Sequence, residues 1–188
     1  NKTNMIFPIG DDNIGKGHQP LYSYSFIAVC VLVFFYQMSL DSEAINSFIL
    51  HYGNVPAETM QGQDLAALVT SMFLHGGWMH LIGNMLYLWI FADNIEAIIG
   101  NTKFLLFYLV GGLVAAMTHV LIDPTSTIPM VGASGAISAV MGAYVVMFPK
   151  SRIKMIFIVF FSVFYIPSWM FLGYWFVQQL TSGFGLMS

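Results

Sequence analysis

Residues 79–99 read MHLIGNMLYLWIFADNIEAII, an apolar run that opens on His80 and Asn84 and closes on Asp93 and Glu96. A helix that crosses a bilayer needs about 20 mostly apolar residues, and this run supplies them. The rest of the chain has the same character. Of its 188 residues 57% are hydrophobic, 16% aromatic and only 8% charged, whereas a soluble domain carries about 25% charged residues. There is too little charge to coat a water-soluble globule, and too much apolar and aromatic content for a disordered chain. The single cysteine, Cys30, excludes an internal disulfide framework. A net charge of −3 offers no basic footprint for nucleic acid.

Four more runs of this kind lie at residues 22–40, 104–122, 133–148 and 153–180. The last holds Pro167 and predicts a kinked or irregular helix. The expected architecture is therefore all-α: one polytopic helical membrane bundle over residues 1–188, with five transmembrane helices. The six cations orient it. Lys2 and Lys16 precede the first span, Lys103 follows the second, and Lys150, Arg152 and Lys154 follow the fourth. Residues 41–78 and 123–132 contain no Lys or Arg. By the positive-inside rule residues 1–20 are cytoplasmic and residues 41–78 form an exterior loop. That loop is long enough to suggest a function, and its apolar stretches, 48–50 and 65–74, are expected to rest on the bilayer surface.

Polar side chains at membrane depth are costly and point to function. His80 and Asn84 are four residues apart and share a helix face. His75 lies just before the span and approaches the same end, as a possible site member or as a helix-end residue bound to interfacial water. Asp93 and Glu96, at the opposite end, read as a solvated helix end or as structural hydrogen-bond partners. The fourth run carries two rows of small residues, Ser134, Ser138, Gly142 and Gly135, Ala139, Ala143, which predict a central, closely packed helix. Ser134 alone fits a packing role. At the same depth as His80 and Asn84 it also fits a nucleophile, with the two side chains and the N–H of Ser134 as donors to an oxyanion.

Three segments resemble the rhomboid family of intramembrane serine proteases, bacterial type. His75, His80 and Asn84 match its H-x4-H-x3-N signature, Gly132-Ala133-Ser134-Gly135 matches its G-x-S-G motif, and Phe7 to Asn13 resembles the N-terminus of many bacterial members. The resemblance covers nearly the whole chain. It implies that Ser134 is the nucleophile and that His80, Asn84 and the N–H groups of Ala133 and Ser134 form the oxyanion hole. His75 would brace the loop, Gly132 and Gly135 would support the motif, and Glu96 would be structural. Trp175 and Phe176 would flank a lateral gate for substrate helices. It further implies transmembrane protein substrates, no metal or other cofactor, and a multi-pass protein of the bacterial inner (plasma) membrane with a cytoplasmic N-terminus. The family's general base is a histidine on a sixth helix. None of His18, His51, His75, His80 and His119 occupies that setting, and residues 181–185 read as the start of a loop leading to it, so the sixth helix is expected to be absent from residues 1–188. A non-catalytic rhomboid-like protein that binds membrane clients is the alternative reading. A channel or transporter built on His80 and Asn84 fits less well, because no chain of charges runs through the spans.

Overall fold

The computed structural model describes residues 6–11, 19–157 and 162–183. The chain begins with strand β1 (Ile6–Asp11) and helix α1 (Leu21–Ser39). Short helices α2 (Ser42–Tyr52), α3 (Pro56–Met60) and α4 (Ala67–Thr70) and a 3-10 turn (Ser71–Phe73) follow. Then come α5 (Trp78–Ile99), α6 (Asn101–Ile122), α7 (Ser134–Met147), β2 (Arg152–Phe157), β3 (Ser162–Pro167) and α8 (Ser168–Gly183). Helices α1, α5 and α6 are long and apolar enough to cross a membrane. They and α7 run alternately between two ends of a bundle, here the site end and the sheet end. The expected helical membrane bundle is present, and four of the five expected spans coincide with α1, α5, α6 and α7.

The fifth does not. Residues 153–180 are not one kinked helix. Their first part forms β2 and β3, which with β1 make a three-stranded antiparallel sheet in the order β1-β2-β3. The segments RIKMIF and SVFYIP are rich in β-branched and aromatic residues, which suit a pleated strand. In β2 burial has the period of a strand: Ile153 and Met155 are buried while Arg152 is exposed. Pro167 lacks an N–H and forces an extended residue before it, so a helix starts only at Ser168. Helix α8 turns Phe171, Leu172 and Trp175 into the bundle and leaves Trp169, Tyr174 and Phe176 exposed.

Helix α7 sits in the middle, as its small residues predict. With 14 residues it is about 21 Å long, shorter than the ~30 Å hydrocarbon core. A Cβ added at Gly111 of α6 would lie 2.5 Å from Ala139 Cβ, and one at Gly135 of α7 would lie 2.7 Å from Ala115 Cβ. The two backbones therefore approach too closely for any larger residue there. Gly142 does not belong to this contact, since a Cβ there would meet open space.

At the sheet end, Glu96 of α5 is fully buried. Its carboxylate accepts hydrogen bonds from the backbone N–H of Tyr22 (2.8 Å) and Ser23 (2.9 Å) and from the Ser23 hydroxyl (2.6 Å). Helix α1 starts after Pro20 with no side-chain cap of its own, so Glu96 caps it from another helix. Glu96→Ala strands three donors. A loss of about 3 kcal/mol is expected, read as a lower thermal midpoint in detergent, with Glu96→Gln losing less. An unchanged midpoint for Glu96→Ala contradicts the capping role. Nearby, Asp11 accepts from Asn94 Nδ2 (2.7 Å) and from the Tyr144 hydroxyl, which anchors β1 to α5 and α7.

Residues 41–77 cover the site end. Leu50 and Leu65 are exposed, but Ala67, Met72 and Leu74 are buried. Much of the 65–74 stretch is therefore core rather than a surface lying on lipid.

Candidate active site

Two backbone segments meet at the site end: the start of α5 and the turn that leads into α7. The turn is held by the 41–77 loop. Asn54 and Met130 exchange backbone hydrogen bonds of 3.0 and 2.8 Å, and the Gly132 N–H donates to the Ser71 carbonyl at 2.8 Å. Thr59 Oγ1 donates to Asn54 Oδ1 at 2.6 Å and fixes that side chain. The loop thus fastens the turn before α7.

Gly132 has a φ of +124°, in the left-handed region that disfavours any side chain. Space forbids one as well. A Cβ there would lie 2.6 Å from His80 Nε2 and 3.6 Å from Asn84 Nδ2. His80 and Asn84, one turn apart on α5, therefore both face the backbone two residues before Ser134. The Gly76 N–H donates to His80 Nδ1 at 3.4 Å. In the neutral ring an accepting Nδ1 leaves the hydrogen on Nε2, so the nitrogen beside Gly132 is a donor. Asn84 is buried, and its Nδ2 has no hydrogen-bond partner among the described residues. Ala133 is the N-cap of α7 and Ser134 its first residue, so the N–H groups of this first turn have no partner within the helix. Ser134 itself is half-buried. Two side-chain nitrogens and the N–H groups of a first helical turn thus lie near the backbone that leads to Ser134, a setting that suits an anionic oxygen.

A model of the Rhomboid domain matches residues 62–187, a stretch that includes His75, His80, Asn84 and Ser134. The chain belongs to the rhomboid family. It is similar to the rhomboid protease GluP of Bacillus subtilis, with 30% identity over 125 residues, 66% of this chain and 24% of that protein. It is 35% identical over 80 residues to the putative rhomboid protease YdcA of the same organism, 43% of this chain and 40% of that protein. It is 32% identical over 91 residues to the mitochondrial presenilin-associated rhomboid-like protein A of Danio rerio, 47% of this chain and 24% of that protein. The matches thus span between a quarter and two-fifths of the length of these relatives. The family and the apolar helices make this rhomboid an integral multi-pass membrane protein.

The other expected site residues divide. His75 is buried, and its ring packs edge-on to that of His80 with centroids 5.2 Å apart. Burial, with the neighbouring His80 second, pushes its pKa down to about 4, so the ring is neutral at physiological pH. Gly135 serves the packing of this rhomboid's α7 on α6. Trp175 and Phe176 do not share a face. Trp175 is buried with its ring 5.6 Å from that of Tyr87 on α5, and Phe176 is exposed. His51 lies exposed on α2 and His119 is half-buried in the last turn of α6, while His18 lies outside the described residues. Among the described residues no three His, Cys, Asp or Glu side chains gather to hold a metal ion.

One residue of the region escaped the sequence reading. Gln37, near the end of α1, is buried. Its Nε2 donates to the His75 carbonyl and its Oε1 accepts from the His75 N–H, both at 3.1 Å. The available signal was an amide in an otherwise apolar run.

Proposed function

We propose that this protein is an intramembrane serine endopeptidase that cleaves transmembrane proteins near the exterior face. One observation carries the reading: His80 Nε2 and the buried Asn84 Nδ2, which has no hydrogen-bond partner among the described residues, both lie beside Gly132, two residues before Ser134. A buried donor left unpaired costs about 1–3 kcal/mol, and a site that bears this cost suits an acceptor that arrives with the substrate.

In this mechanism Ser134 Oγ attacks the scissile carbonyl and gives its proton to a base. The developing oxyanion accepts from His80 Nε2–H, Asn84 Nδ2–H and the N–H groups of Ala133 and Ser134. Collapse expels the amine, which takes the proton back from the base. Water then hydrolyses the acyl-enzyme by the same route. The base in this mechanism is a histidine, the group that the family resemblance implies. Lys103, Lys150, Arg152 and Lys154 lie at the sheet end, which supports a cytoplasmic sheet, a cytoplasmic N-terminus and an exterior site. The membrane in this reading is the bacterial plasma membrane. Substrate helices approach between α5 and α8, where Tyr87 meets Phe171 and Trp175 and Phe176 lines the outer side.

A fluorophosphonate tests this directly. Attack by Ser134 Oγ on phosphorus expels fluoride and leaves a stable covalent adduct. The full-length protein is expected to label at Ser134 and to lose the label in Ser134→Ala. A correctly folded wild-type protein that does not label refutes the protease reading and favours a client-binding rhomboid-like protein.

A further inference from the structure

We propose that Gln37 of α1 is a positioning residue for the oxyanion donor. By clasping the backbone of His75 it holds the Gly76 N–H on His80 Nδ1, and so keeps Nε2–H aimed at Gly132. The inference rests on the reading of His80 as that donor.

The link between the 3-10 turn and α5 has no regular structure over residues 74–77. It leaves the turn extended at Leu74, with φ −88° and ψ 151°, and the Gln37 amide makes two reciprocal hydrogen bonds to the residue that follows. Both go to backbone atoms of His75, so the clasp fixes the path of the chain whatever the His75 ring does. The next residue, Gly76, supplies the N–H that reaches His80 Nδ1 at 3.4 Å. That is the long end of a hydrogen bond, and a backbone shift of a few tenths of an ångström breaks it. Without it the His80 ring is free to rotate and to take the other tautomer, with its hydrogen on Nδ1. A donor at Nε2 is then no longer guaranteed at the moment charge develops on the substrate. Gln37 is also well placed to be rigid, since a buried amide with both groups satisfied has no competing water.

The test is Gln37→Met, which keeps length and apolar volume and removes both hydrogen bonds, made in the full-length protein with 15N-labelled histidine. The His80 ring signals, assigned by difference against His80→Asn, are expected to change from one Nε2–H tautomer with a hydrogen-bonded Nδ1 to a mixture. The kcat is expected to fall roughly tenfold at unchanged KM, less than the 10²–10³ lost when an oxyanion donor is deleted. Gln37→Glu, which keeps an acceptor for the His75 N–H, is expected to fall between the two, and it carries the test if Gln37→Met does not fold. Unchanged His80 signals in a folded variant overturn the proposal, as does a loss of activity that only tracks the folded fraction. Failure of Ser134 to label refutes the protease reading alone, because the ring signals report on Gln37 without any turnover.

Discussion

Ser134→Ala is expected to abolish cleavage of a transmembrane substrate by the full-length protein while leaving the fold intact. The substitution removes one oxygen at the first residue of α7. Ser138 Oγ donates to the Ser134 backbone carbonyl at 2.7 Å, and an alanine keeps that carbonyl. Alanine is also a better helix former than serine, and position 134 is only half-buried. The thermal midpoint should therefore stay within a degree or two. The activity should not. Loss of a catalytic serine costs on the order of 10⁶ in kcat where it has been separated from binding, and the donors around Gly132 cannot replace a nucleophile. Cleavage is followed by appearance of the N-terminal product fragment. Product at more than a few per cent of the wild-type rate removes Ser134 from the mechanism.

Gly132→Ala is expected to be the most damaging substitution that removes nothing. Two independent penalties apply. The backbone φ of +124° is one that a residue with a Cβ adopts only under strain, at a cost of about 1–3 kcal/mol. The new methyl also falls 2.6 Å from His80 Nε2, so either the His80 ring or the turn before Ser134 must move. In the proposed mechanism, movement of the ring takes the donor off the point where charge develops, and movement of the turn shifts Ser134. In both cases kcat should fall by about 10² or more, the scale set by loss of one oxyanion donor, and the midpoint should fall as well. Gly142→Ala is the matched control on α7. It adds the same methyl in open space and is expected to be neutral or to stabilise by up to about 1 kcal/mol. Equal activities for Gly132→Ala and Gly142→Ala would show that the space beside Gly132 is not used.

The parts of this structure that were legible in the sequence are those set by a local period. Apolar runs located α1, α5, α6 and α7 to within three residues; for α1, α5 and α6 the run must be as long as the bilayer is thick, and the shorter α7 was marked by its rows of small residues. The spacing of His80 and Asn84 put them on one face of α5, and the Gly135 and Ala139 row marked the contact with α6. The 153–180 run failed because hydropathy is the same for a buried strand and a buried helix. Its true division was written in Pro167 and in the β-branched content on either side. Gln37, the Glu96 cap on α1 and the Asn54–Met130 pairing were not legible, since each joins residues 38 to 76 positions apart and no pattern within one segment encodes a partner so distant.

The sheet has a consequence for how the chain is made. Gly10 pairs with Lys154, and α1, α5, α6 and α7 lie between them. At ~5–20 residues per second, the first strand waits roughly 7–30 s of synthesis for its neighbour. The two strands end up on the same side only when the intervening crossings are even in number. A chain with one helix left uninserted puts β1 and β2 on opposite sides of the bilayer, where they can never meet. The ladder from Ile6 to Phe157 therefore closes only where the intervening crossings are even in number, and an unclosed one leaves an open strand edge.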